Sequence, residues 1–282
     1  MARDRSSSHP GKLDRQTVEL LLGVFGPLVR RMWPSTIHGL EHLPAHDRFM
    51  VVANHSGMGI AELWALLLLW YERHGDARPI AGMAHPGVFL VPVLRQALEG
   101  LGAVEATRAG AALARRAGAP LLLFPGGDHE AMRPIWQARR VDFAGRQGWI
   151  RLAREHALDI VPLCITGSHV TLPILARGRT LSWMLGTRAL GVHRAPLPAL
   201  GLAAAAASIG LAAAAGLKPG WGVLGAYASI WSTLMLPWVP SRIGFHLLPP
   251  IAAAELADPE RDGEVYHRVV TSLEGVLRGG KT

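Results

Sequence analysis

Three apolar runs limit what this chain can fold into: MVVAN at 50–54, LLLF at 121–124 and IVPLCIT at 160–166. Each has the length of a strand and stops at a turn carrying Asn, Gly or Pro. Between them lie stretches with helical spacing of apolar residues, such as AELWALLLLWYERH at 61–74. Strands alternating with helices predict an α/β sheet covered by helices on both faces. Strands are expected at 35–38, 49–53, 79–84, 103–106, 120–124, 159–166 and 241–251. Helices are expected at 14–33, 61–74, 87–101, 109–117, 145–156 and 259–278. The polar start, Met1–Gln16, reads as a leader and not as a signal peptide.

Two of the runs end in chemistry. The first delivers His55 into a turn with Ser56, Gly57 and Gly59, and the second reaches Phe124-Pro-Gly-Gly and then Asp128 and Glu130. A His set in a glycine-rich turn at a sheet edge is open to substrate, and neutral imidazole is the usual group for taking a proton from a hydroxyl. About 70 residues separate the two motifs, room for one or two crossover helices between strands of one sheet. Gly-x-Ser-x-Gly is absent, which disfavours a serine hydrolase. Cys164 is the single cysteine, so no intrachain disulfide forms, and its apolar run marks it as a buried strand residue.

VVANHSG, then GLGAVEATR (100–108), LLLFPGGDHEAMR (121–133) and DIVPLCITGSH (159–169) stand in the order of four sequence blocks. In that order they resemble the lysophospholipid and glycerolipid acyltransferase superfamily. The Phe-Pro-Gly-Gly form is similar to its diacylglycerol-acyltransferase-like branch, and most members have Phe-Pro-Glu-Gly. The resemblance covers about residues 35–175 and the strand at 241–251. It implies a glycerol-3-phosphate-acyltransferase-like sheet and an enzyme of phospholipid biosynthesis. His55 is then the general base for attack on the thioester of acyl-CoA or acyl carrier protein, with no metal or redox cofactor. Asn54, Ser56, Gly57, Arg108, Pro125, Gly126, Gly127, Asp128 and Glu130 fall at substrate-binding positions, Arg108 as the contact to phosphate or a polar head group.

One position departs from the family pattern. An Asp is expected five residues after the His, and here Ile60 stands there. Glu62 is the nearest carboxylate, but seven residues of continuous helix would set it about 10 Å from His55. Glu62 reaches the imidazole only if Gly57 and Gly59 form a loop before the helix. Otherwise it is a first-turn Glu that favours the helix N-terminus, and Asp128 or Glu130 is the substitute.

Beyond residue 180 the composition changes. Residues 196–217 and 221–239 are uncharged, with Trp221 and Trp238 near the ends of the second run and Lys218 the only charge between them. Arg177, Arg179, Arg188 and Arg194 precede the pair and Arg242 follows it. The pattern predicts an apolar helical hairpin, inserted before the last strand, that spans or enters a membrane with both ends cytoplasmic. Four segments follow: a leader and amphipathic helix (1–34), an α/β core (35–180), the hairpin (181–240), and a returning strand and helix (241–282). The net charge of +8 comes almost wholly from arginine. Without zinc-finger cysteines or an aromatic–basic stripe, this charge favours membrane lipids and phosphate over nucleic acid as partners. The oligomeric state is not legible. A thioester or ester hydrolase and a non-catalytic lipid-binding membrane protein are the alternatives.

Overall fold

The computed structural model describes residues 13–236 and 238–279; most of the polar leader lies outside them. In chain order the elements begin α1 (Arg15–Met32), β1 (Ser35–His38), β2 (Phe49–Ala53), α2 (Ile60–His74), β3 (Ala81–Ala84), α3 (Pro92–Gly100), β4 (Val104–Glu105) and α4 (Arg108–Arg116). They continue β5 (Leu121–Leu123), α5 (Gly127–Ala131), α6 (Gly148–Glu155), β6 (Asp159–Thr166), α7 (Ser168–Thr171), β7 (Ile174–Gly178) and α8 (Arg179–Met184). Last come β8 (Ala195–Pro198), α9 (Ala199–Ala214), α10 (Pro219–Met235), β9 (Ile243–Leu247) and α11 (Asp262–Leu277).

Seven strands form one sheet in the order β1-β9-β6-β2-β5-β3-β4. All neighbours run parallel except β6 and β9. The central strand, β2, explains why its sequence does not alternate between apolar and polar. Met50 and Val52 enter the core that holds Ile150, Val269 and Leu273, while Phe49, Val51 and Ala53 enter the one that holds Val18, Leu22 and Leu66. Both faces are covered, so every position of the strand is apolar. Cys164 is buried in β6, where loss of solvent pushes its thiol up to about 12.

A second sheet, the antiparallel pair β7–β8, was not expected from the sequence. It carries α9 and α10, which lie against each other between β8 and β9. The expectation that this pair spans a bilayer is corrected. At 16 and 17 residues the helices are about 24 and 26 Å long, against a hydrocarbon core of about 30 Å. Among the described residues no helix is long and apolar enough to cross a membrane.

Candidate active site

His55 follows the last residue of β2, and the next turn decides what it meets. Gly57, Met58 and Gly59 take φ values of +54°, +62° and +78°, three left-handed residues in succession. This conformation suits glycine and costs a residue with a side chain. It delays the start of α2 to Ile60, so Glu62 sits in the first turn and points back at the imidazole. His55 Nδ1–H donates to Glu62 Oε1. That fixes the proton on Nδ1 and leaves Nε2 as the base, with no hydrogen-bond partner among the described residues.

Glu62 is fully buried and held from several sides. Ser56 N–H donates to Oε1 at 3.3 Å, and Ser56 Oγ–H donates to Oε2 at 3.2 Å. Ser168, the first residue of α7, donates its hydroxyl to Ser56 Oγ. A carboxylate held this way orients the imidazole and stabilises its cation when Nε2 takes a proton. The ring leans on Phe124, centroid to centroid 4.5 Å. Its other side lies over Gly59, where an added Cβ would fall 2.1 Å from His55 Cε1.

Glu130, a candidate partner from the facing loop, does not meet the imidazole. Its carboxylate accepts the backbone N–H of His55 at 3.1 Å and that of Asp142 at 3.2 Å. The side chain is fully buried, so it fixes the loop after β2 instead of lining a substrate surface. Arg133 Nη2 lies 3.3 Å from Glu130 Oε1, at an angle outside hydrogen-bond geometry. Burial lifts the Glu130 carboxyl to about 7, against the pull of Arg133 and of the two N–H donors. The same burial lowers Arg133 from the usual guanidinium range.

Other expected substrate contacts separate into two groups. Asn54 is buried, and its amide bonds Ile165 O at 2.9 Å and Ile165 N at 2.7 Å, so it ties β2 to β6 and faces no substrate. Ser56 and Gly57 are buried supports; a Cβ on Gly57 would lie 2.8 Å from Ser168 O. Arg108 is exposed and paired with Glu155 at 3.0 Å. It opens α4 beside β4, three strands from β2 and about 14 Å away in strand spacing. The structure therefore does not bring Arg108 to the dyad. A surface cavity of about 270 Å³ between Phe89 and Leu113 lies by the same edge strand and lacks both dyad residues.

Around the Phe-Pro-Gly-Gly loop the cations are others. Arg146 donates to Gly126 O at 2.9 Å and Pro125 O at 3.3 Å, with Asp128 Oδ1 3.5 Å away. Arg177, from β7, donates to His129 O. Gly126 has no room for a side chain, because a Cβ there would lie 2.3 Å from Glu130 Cβ. Sequence reasoning missed Arg133 and Ser168, for which the sequence carries no signal. The Gly57–Gly59 turn, by contrast, was legible, and it forms the loop that lets Glu62 reach His55.

A base at the carboxyl end of a central parallel strand, backed by a buried carboxylate and facing a glycine-rich loop, suits removal of a proton from a hydroxyl. Residues 34–166 match the model of the Acyltransferase family.

Among known proteins, the chain is similar to an uncharacterized protein of Mycobacterium leprae, 28% identical over 150 residues, or 53% of this chain and 41% of that protein. An uncharacterized protein of Mycobacterium tuberculosis strain H37Rv is 27% identical over 164 residues, or 57% of this chain and 46% of that protein. The matched region thus spans less than half the length of these curated relatives. In fold, the chain is similar to the crystal structure of the 1-acyl-sn-glycerophosphate (LPA) acyltransferase PlsC from Thermotoga maritima. That comparison has a TM-score of 0.52 at 15% identity and covers 100% of this chain and 86% of the other.

Proposed function

We propose that the chain is an O-acyltransferase that moves a fatty acyl group from acyl-CoA or acyl carrier protein to a hydroxyl of a lysophospholipid, diacylglycerol or related lipid. The observation that carries this reading is the His55–Glu62 pair at the end of β2, inside the matched acyltransferase segment. His55 Nε2 takes the proton of the acceptor hydroxyl as its oxygen attacks the thioester carbonyl. The tetrahedral intermediate then breaks its C–S bond, and the imidazolium returns the proton to the leaving thiolate. Glu62 stabilises the cation between the two steps. Both substrates carry acyl chains and a polar or phosphorylated head, so the enzyme works at a membrane surface, on its cytoplasmic face. Arg146 and Arg177 beside the Phe-Pro-Gly-Gly loop are the cations best placed for phosphate. No metal or redox group enters these steps.

The test is transfer of labelled acyl chains from acyl-CoA and from acyl carrier protein to a panel of lipid alcohols, by purified wild type and His55→Ala. Acylated product from the wild type alone supports the reading. Release of free fatty acid without an acylated lipid would instead identify a hydrolase, and transfer by His55→Ala would remove the base.

A further inference from the structure

We propose that α9 and α10 form a lipid-immersed hairpin that enters the bilayer from one side, with both ends kept at the same surface. The proposal rests on the membrane-surface reading above and deepens it by naming the element that meets lipid. No charged side chain occurs from Pro196 to Leu217 or from Pro219 to Val239. The two helices pack along a seam of small residues. A Cβ on Gly222 would lie 3.3 Å from Ala212 Cβ, and one on Gly225 3.2 Å from Ser208 Cβ. Ser208 and Ser229 share a hydrogen bond of 3.0 Å across the seam. Small residues inside with interhelical hydroxyl bonds are how helices associate in lipid.

The large apolar residues lie outside. Leu202, Ile209 and Leu211 of α9 and Val223, Leu224 and Tyr227 of α10 are exposed. The lower half of the hairpin is seated on the body, where Ile230, Trp231 and Leu234 pack with Leu185 and Ala195 and the Tyr227 hydroxyl donates to Leu185 O at 3.4 Å. Neither helix has a charged face. A second copy of the chain would cover one side and leave the rest wet, whereas lipid covers a helix that is apolar all round.

The ends of the hairpin match a bilayer as well. Exposed Trp183 and Trp238 lie near its base, and exposed Arg179, Arg188, Arg194 and Arg242 flank the base in sequence. Tryptophan prefers the membrane interface, and the arginines complement anionic head groups. Lys218, the one charge between the two runs, is carried at the tip on a long apolar stem. α9 leaves β8 and α10 returns to β9, both parts of the folded body, so the two ends stay on one side.

Flotation of the full chain with phosphatidylglycerol–phosphatidylcholine vesicles tests this, using wild type, His55→Ala and the double variant Leu211→Glu/Val223→Glu. Wild type and His55→Ala are expected to float, and the double variant to lose at least tenfold in vesicle partition while keeping its melting temperature. Equal flotation of the double variant would overturn the hairpin assignment. Wild type that does not float would overturn the membrane-surface reading itself. A lipid-free dimer that the double variant dissolves, with flotation unchanged, would assign the hairpin to a second copy. A readout without an introduced charge is quenching of tryptophan fluorescence by bromine-labelled acyl chains. Trp221→Phe is expected to lower the quenched fraction, and an unchanged fraction refutes immersion of the tip.

Discussion

Gly59→Ala isolates the turn that brings His55 and Glu62 together. The Gly59 backbone is left-handed at φ +78°, and an added Cβ would fall 2.1 Å from His55 Cε1. Ordinary contact begins near 3.4 Å, so the imidazole must retreat by more than 1 Å. Two costs follow and can be separated. A side chain in left-handed backbone costs about 1–2 kcal/mol of stability, a fall of roughly 2–8 °C in melting temperature for a chain of this size. Misplacing a catalytic group by about 1 Å costs about 100-fold in rate. Gly118→Ala is the control, because Gly118 has φ +80° and no atom within 4 Å of its added Cβ. Both variants should melt earlier by similar amounts, and only Gly59→Ala should lose about 100-fold in kcat/KM for thioester-to-alcohol transfer. If Gly59→Ala keeps activity within threefold of Gly118→Ala, the imidazole does not work from the position described.

Three further outcomes follow from the same site. Glu62→Gln should lower kcat by about 100- to 1,000-fold with little change in KM, since the carboxylate orients the imidazole and stabilises its cation without touching substrate; steady-state kinetics read it, and an equal rise in KM would refute the role. Glu130 has a folded pKa of about 7 against 4.5 unfolded, so the folded chain holds a proton that the unfolded chain releases between those values. The stability it contributes, about 3 kcal/mol, is fully present below pH 4.5 and is lost as pH rises through about 7. Urea unfolding at pH 5 and pH 8 should show that fall in wild type relative to Glu130→Gln, and parallel profiles would refute it. Asn54→Ala removes both bonds to Ile165 and should destabilise by about 2–4 kcal/mol in thermal unfolding while leaving KM unchanged; a rise in KM at full stability would return Asn54 to the substrate surface.

The central strands were legible because burial on both faces leaves an unmistakable run of apolar residues, as at Phe49–Ala53 and Asp159–Thr166. His55 was legible because strand and glycine turn are adjacent in the chain. Its partner was legible only as a condition. Glu62 reaches the ring if three residues turn left-handed, and Met58 adopting that conformation is not predictable from residue preference. The β7–β8 pair was hidden because ILARG and APLP are short, and Arg177 and two prolines break any strand pattern. Arg133 was unreadable for the opposite reason, since a cation beside Pro134 gives no sign that it will be fully enclosed. Arg108 shows the limit of block order, which fixes a position in the chain but not which strands of the sheet intervene.

The place of β9 imposes an order on assembly. Among the described residues β1 pairs only with β9, and Ser35 pairs with Ile243, 208 positions later. Closing a loop of that length costs about 5 kcal/mol in chain entropy, so this contact forms late. During synthesis β1 is made well before β9, and it waits unpaired until the ribosome has released the segment beyond the hairpin. The hairpin is therefore synthesised before the sheet is complete, and the strand that seals the sheet follows it out of the ribosome.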